Sequence, residues 1–231
     1  MRGKSITPAP GVRLRLPPSK QSGGASPGME HWRAMPAAPP AIRGFMCKLF
    51  LEAARALPPE SRRQVFVLVP EPVLTLIDTS PRLGWVPAEE GLKLADALHQ
   101  VLGGPGFRAF FSHLAERTMA SPLMESFFAG AVRLFGLTPQ SLLKWYPQAW
   151  EQVFRGCGRP VYQPLRETTV NGRVEMLLED FPPALLRSNT FPDCVAGSFD
   201  MLLRRGAREG RVELREVDRL RGRLRYDISW E

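Results

Sequence analysis

Over residues 41–57 the apolar side chains of Ile42, Phe45, Met46, Leu49, Phe50, Ala53 and Leu57 recur at helical spacing. Arg43, Lys48, Glu52 and Arg55 fall largely elsewhere on that surface, and Pro58 with Pro59 ends the run. The pattern predicts an amphipathic helix facing a core; a membrane-surface helix shares the pattern and ranks second. Two short apolar runs follow, at 65–69 and 73–77, separated by Pro70 and Pro72. Their period does not choose between helix ends and extended segments. Pro87, Glu89 and Glu90 suit the first turn of a helix reaching about Leu102, with Leu92, Ala95, Leu98 and Leu102 on one side. Gly103, Gly104 and Gly106 break it, and a further helix is predicted from Phe107 to Met119, with Phe107, Phe111, Leu114 and Thr118 on a common face.

Ser121-Pro122 and Thr138-Pro139 each join an N-cap residue to a first-turn proline. The first pair opens a stripe of Leu123, Met124, Phe127, Phe128, Ala131 and Phe135, ending at Gly136. The second opens a stripe of Leu142, Leu143, Tyr146, Ala149, Trp150, Val153 and Phe154, ending at Gly156 and Gly158. Pro147 lies inside that stripe and is expected to kink or break its helix. After Gly158 the period becomes that of a strand. Residues 161–169 and 173–179 flank Asn171-Gly172, a strong hairpin signal. A helix over 191–205, starting near Pro192-Asp193, separates this hairpin from two more strands at 211–217 and 223–230. In the last strand Leu224, Tyr226, Ile228 and Trp230 point inward, and Arg223, Arg225, Asp227 and Ser229 outward. The fold class predicted is α+β: a helical N-terminal half packed on a four-stranded antiparallel sheet of β-β-α-β-β order, forming one domain over 41–231.

Composition changes this picture at the N-terminus. The chain of 231 residues carries a formal charge of +8. Residues 1–40 hold Arg2, Lys4, Arg13, Arg15, Lys20 and Arg33 against Glu30 alone, so most of the excess sits there. With eight prolines, that stretch reads as a disordered basic leader, and Met29 and Met35 are alternative starts. The basicity is therefore weak support for a nucleic-acid-binding domain. The cysteines, Cys47, Cys157 and Cys194, have no metal or disulfide spacing and suit a reducing cytoplasm. No apolar run is long enough to span a bilayer.

Three landmarks carry a family resemblance: the opening helix IRGFMCKLFLEAARAL, the central run 107–158, and the closing RGRLRYDISWE. With them the chain resembles the Myxococcus–Stigmatella paralogous family of deltaproteobacterial proteins over most of its length after residue 41. The shared features are apolar residues and glycines, and the resemblance implies no catalytic activity. More distantly, the element order looks like the fold of vinyl-reductase-like sensor domains and small trafficking-complex subunits. That likeness implies a pocket for a small molecule or lipid between helices and sheet, or an assembly role.

No catalytic constellation emerges. His113, with Glu116 and Arg117 nearby, reads as a boundary histidine; His99 and His31 have no partners in sequence. Gly103-Gly104-Pro105-Gly106 lacks the Lys-Ser/Thr of a phosphate loop and reads as a turn. Ser198 follows Gly197 without the hydrolase elbow pattern. Cys157, between two glycines at a helix end, reads as a small turn residue. The arginines of the last strands, Arg211, Arg215, Arg223 and Arg225, form either a solvated face of ion pairs or a dock for an acidic protein, with nucleic acid ranked behind. The leading reading is a non-catalytic cytoplasmic sensor or interaction module with no metal or cofactor. Its ligand is a small apolar molecule near Phe128, Phe135, Tyr146 and Trp150. An enzyme with an unrecognised site is a further alternative.

Overall fold

A computed structural model describes residues 39–120, 124–125, 129–130, 132–133, 136–167, 172–207 and 209–231. Most of the leader, most of the 123–135 stripe with Phe128 and Phe135, and the hairpin tip at Asn171 lie outside the described residues. The stripe at Ile42 begins as a strand, not as a helix. Strand β1 (Ala41–Arg43) pairs antiparallel with β2 (Trp85–Pro87) on one side and β3 (Phe154–Arg155) on the other. Strands of two or three residues are too short to show a period, so the sequence pattern ran them into the neighbouring helices. Helix α1 (Gly44–Arg55) follows without a side-chain cap. Its first N–H groups are taken by the loop before β2, Gly44 donating to Gly84 at 2.9 Å and Phe45 to Arg82 at 2.8 Å. A Cβ on Gly44 would stand 2.2 Å from the Pro81 carbonyl oxygen, so this approach requires glycine.

The two ambiguous apolar runs are helices, α2 (Pro59–Leu68) and α3 (Glu71–Thr79), each with proline in its first turn. Helix α4 (Ala88–Met119) contains both predicted central helices, joined at Gly103, whose φ of 69° and ψ of 164° are non-helical. Helix α5 (Pro139–Val153) starts with a capping box. Ser141 N–H donates to Thr138 Oγ1 at 3.2 Å, and Thr138 N–H to Ser141 Oγ at 3.1 Å. The helix continues through Pro147 rather than breaking there. An interior proline costs about 3 kcal/mol. Each large apolar side chain buried contributes about 1.5–3 kcal/mol, and α5 buries Leu142, Leu143, Trp145, Tyr146, Trp150 and Val153.

Strands β4 (Arg159–Glu167), β5 (Gly172–Glu179), β6 (Gly210–Asp218) and β7 (Arg223–Trp230) form an antiparallel sheet of order β4-β5-β7-β6. Helix α6 (Thr190–Gly206) joins the two hairpins and packs on β6, α4 and α5. The class is α+β, with helices laid on antiparallel strands, as the alternation of apolar residues predicted. Val174, Met176, Leu178, Val212, Leu224, Tyr226, Ile228 and Trp230 are all buried on the covered face. Gly172 lies against Trp230, where a Cβ would come within 2.3 Å of the indole ring. Among the described residues, no helix is long and apolar enough to cross a membrane.

Candidate ligand-binding site

Three helices present small residues toward one another. Ala115 of α4, Ala149 of α5 and Ser198 of α6 face a common interior point, surrounded by larger apolar neighbours. Small side chains between rigid aromatic walls leave space, and a cavity of about 70 Å³ results. Tyr146, Trp150 and Val153 bring one wall, Phe111 and Met119 a second, and Val195 and Leu202 a third; Met46 and Met124 complete it. The rings are fixed by one another. Trp150 stacks on Phe154 at 4.0 Å between centroids and meets Phe191 edge-on at 6.0 Å, while Tyr146 lies 4.7 Å from Phe199.

The polar atoms on this wall are already engaged. Ser198 Oγ donates to the Val195 carbonyl at 2.7 Å, which leaves it an acceptor toward Tyr146. The Tyr146 hydroxyl therefore donates across the 2.9 Å contact. Burial pushes that phenol above its usual range, with the Ser198 hydrogen bond opposing. Thr118 donates to the Leu114 carbonyl at 2.9 Å, and Trp150 Nε1 to the Gly158 carbonyl at 3.2 Å. Burial also holds the Cys194 thiol well above its ordinary value, so it is neutral. A smaller void of about 30 Å³ lies alongside, lined by Ile42, Cys47, Gly91, Leu92 and Ala95 together with residues of the first.

Of the aromatic residues singled out in sequence, Tyr146 and Trp150 line the larger cavity. His113 is exposed, and its neighbours pair elsewhere, Glu116 with Arg205 at 3.6 Å and Arg117 with Glu52 at 3.8 Å. His99 has a partner that the sequence did not signal: its Nε2 is 2.7 Å from the Asp193 carboxylate, across 94 residues of chain. Gly104 stands over this pair, where a Cβ would lie 3.4 Å from Asp193 Oδ2. Arg108 makes a second unsignalled link, to Asp200 at 2.5 and 2.7 Å and to the Val212 carbonyl at 3.0 Å. The His99–Asp193 and Arg108–Asp200 bonds fasten α6 to α4. Cys157 is buried, bonds the Arg155 and Ala41 carbonyls, and has its thiol pushed up to about 11 by burial. Among the described residues, no group of three His, Cys, Asp or Glu is placed to hold a metal.

On the open face of the sheet the arginines are interleaved with carboxylates. Arg215 meets Glu213 and, at 3.3 Å, Asp227; Arg211 meets Glu213; Arg225 reaches Glu216 at 3.4 Å and Glu175 at 3.6 Å. Arg223 is half-buried opposite Asp218 in the β6–β7 register. Asp227 also accepts from Arg173 at 3.0 Å, and that hydrogen bond, with help from Arg215, holds its carboxyl below the usual range.

No family model and no curated protein matches the sequence. Solved structures do match. An Fe(II) unliganded H-NOX protein from K. algicida is 11% identical, with 82% of this chain and 97% of that one covered and a TM-score of 0.54. The fold is that of H-NOX proteins. An oxygen-binding H-NOX domain related to soluble guanylate cyclases, in its oxygen complex, is 15% identical over 82% of this chain and 95% of that one, with a TM-score of 0.53. A structure concerned with haem redox potential and porphyrin distortion is 14% identical over 81% and 98%, with a TM-score of 0.54. At such identities the H-NOX likeness concerns the path of the backbone, and the chemistry of the cavity is read from this chain's own residues.

Proposed function

We propose that the chain is a non-catalytic sensing module of the cytoplasm that takes a small apolar molecule into the cavity between α4, α5 and α6. The observation that carries this reading is the wall itself: apolar, rigid, and with its hydroxyls bonded internally, it offers a ligand shape and dispersion contact but no reacting group. Its size sets the ligand class. An apolar cavity of about 150 Å³ stays dry and takes benzene or xenon; the space here is about 70 Å³. The likeness to an oxygen-binding H-NOX domain supports a small ligand.

The described residues do not fit a haem. Pockets for drug-sized ligands run to about 300–1,000 Å³, well above this cavity of about 70 Å³. None of the histidines that the structure describes faces it, since His99 is held by Asp193 and His113 is on the surface. Tyr146 is committed to Ser198.

Xenon is the direct probe. Under xenon pressure, the methyl NMR signals of Val195, Leu202 and Met201 are expected to shift saturably. In Ala149→Leu, which fills the space, the shifts should vanish while the spectrum stays dispersed. Absence of saturable shifts in the native chain would sink the reading. Purification from haem-supplemented cells should give no stoichiometric Soret band, and one haem per chain would overturn the haem-free assignment.

A further inference from the structure

The two voids are not independent packing defects. Five residues, Met46, Phe111, Phe154, Phe191 and Cys194, line both. Their side chains belong to the walls of both the 70 Å³ space and the 30 Å³ one, and Met46 is the adaptable member, with an unbranched thioether that changes rotamer at little cost. Helix α4 contributes to both spaces, and Phe111, after the break at Gly103, to each of them. Gly91, Leu92 and Ala95, before the break at Gly103, line the smaller void; Ala115, Thr118 and Met119, after it, line the larger.

We infer that the two voids are the ends of one apolar channel, and that its ligand is a slender, unbranched apolar molecule lying across both. This rests on the reading of the cavity as a ligand site and narrows the ligand's shape. The chemistry follows from the wall. Thr118 and Ser198 donate to backbone carbonyls and the flanking thiols of Cys47 and Cys194 are neutral, so a polar group on the buried part of a ligand would lose its hydration without replacement. The small volume disfavours a branched chain: at about 30 Å³ the smaller void holds about two water-sized spheres, each needing roughly 10–15 Å³. A molecule seated in both voids touches α4 on either side of its only non-helical residue, so occupancy bears on the angle between the two halves.

The test uses the native full chain with two probes, xenon and n-hexane, and one filled variant for each end. Ala149→Val narrows the larger void only, and Ala95→Val the smaller only. Xenon should occupy two positions in the native chain and lose only the filled one in each variant, which also reports that the variant is folded. Hexane binding should fall at least tenfold in both variants. If Ala95→Val disturbs folding, Gly91→Ala serves in its place, since its new Cβ would press Ile42 and Cys47 at 3.1 and 3.3 Å. Hexane binding that survives Ala95→Val or Gly91→Ala but is lost in Ala149→Val overturns the channel and leaves a single-cavity sensor. No binding of either probe to the native chain removes the sensing reading as well.

Discussion

Asp227 is the side chain on which the outer sheet face turns. It accepts from Arg173 on one neighbouring strand and from Arg215 on the other, with its own side chain only 14% exposed. Its folded-state carboxyl lies below the ordinary range, chiefly through the Arg173 hydrogen bond. A depressed folded value means that the stabilisation is complete above the unfolded value of about 3.9. It is lost as pH falls from there through the folded value. Because both arginines are half in solvent, screening keeps the amount small. Urea titrations at falling pH should show this loss, and Asp227→Asn should be less stable at neutral pH and flatter on acidification; an unchanged acid limb would refute the assignment. The alternation of β7 made this residue's outward direction legible. Its partners were not legible, because Arg173 and Arg215 reach it from strands whose register depends on the hairpins and on the bulge between Leu214 and Glu216.

At the scale of elements, the long stripes that fall on described residues were largely read as the elements they form, the start of the first one at Ile42 excepted. The halves of α4, the stripe of α5, α6 and the central strands β5 and β7 follow the apolar spacing. The small β2-β1-β3 sheet was missed because pairing so short leaves no period. Helix α5 shows propensity overruled by packing: Pro147 removes one backbone donor, yet the buried stripe on either side holds the helix through it. Restoring the donor in Pro147→Ala should therefore stabilise the protein, by up to about 3 kcal/mol. A rise in melting temperature with unchanged circular dichroism is the expected result; a fall would mean that the pyrrolidine ring itself is required for packing.

Over the whole molecule, the cavity belongs to the class of features that sequence hides. It depends on Ala115, Ala149 and Ser198 meeting from three helices, and an alanine in a helix carries no mark of what it faces. The His99–Asp193 and Arg108–Asp200 links were hidden for the same reason. One measurement samples the entire core. Cys47 in α1, Cys157 after β3 and Cys194 in α6 are free, buried and widely separated in the chain. Burial raises all three thiols, Cys47 to about 12. A raised folded value makes the stabilisation complete below the ordinary thiol value of about 8.5 and diminishes it as pH rises above that. Alkaline conditions above that point should lower stability. At neutral pH, all three thiols should react with a thiol reagent at one common rate, that of global opening. A single fast thiol would locate a segment that opens on its own.

The seat of Trp230 on Gly172 reaches beyond packing, into the chemical lifetime of the chain. A side chain at position 172 would collide with the indole, so glycine is retained there for the sake of the tryptophan. The residue before it is Asn171, and an asparagine followed by glycine is the pair most prone to spontaneous ring closure and deamidation. The protein therefore carries an ageing clock at its hairpin that the fold does not let it replace from the glycine side. Isoaspartate should appear first at Asn171 on prolonged storage.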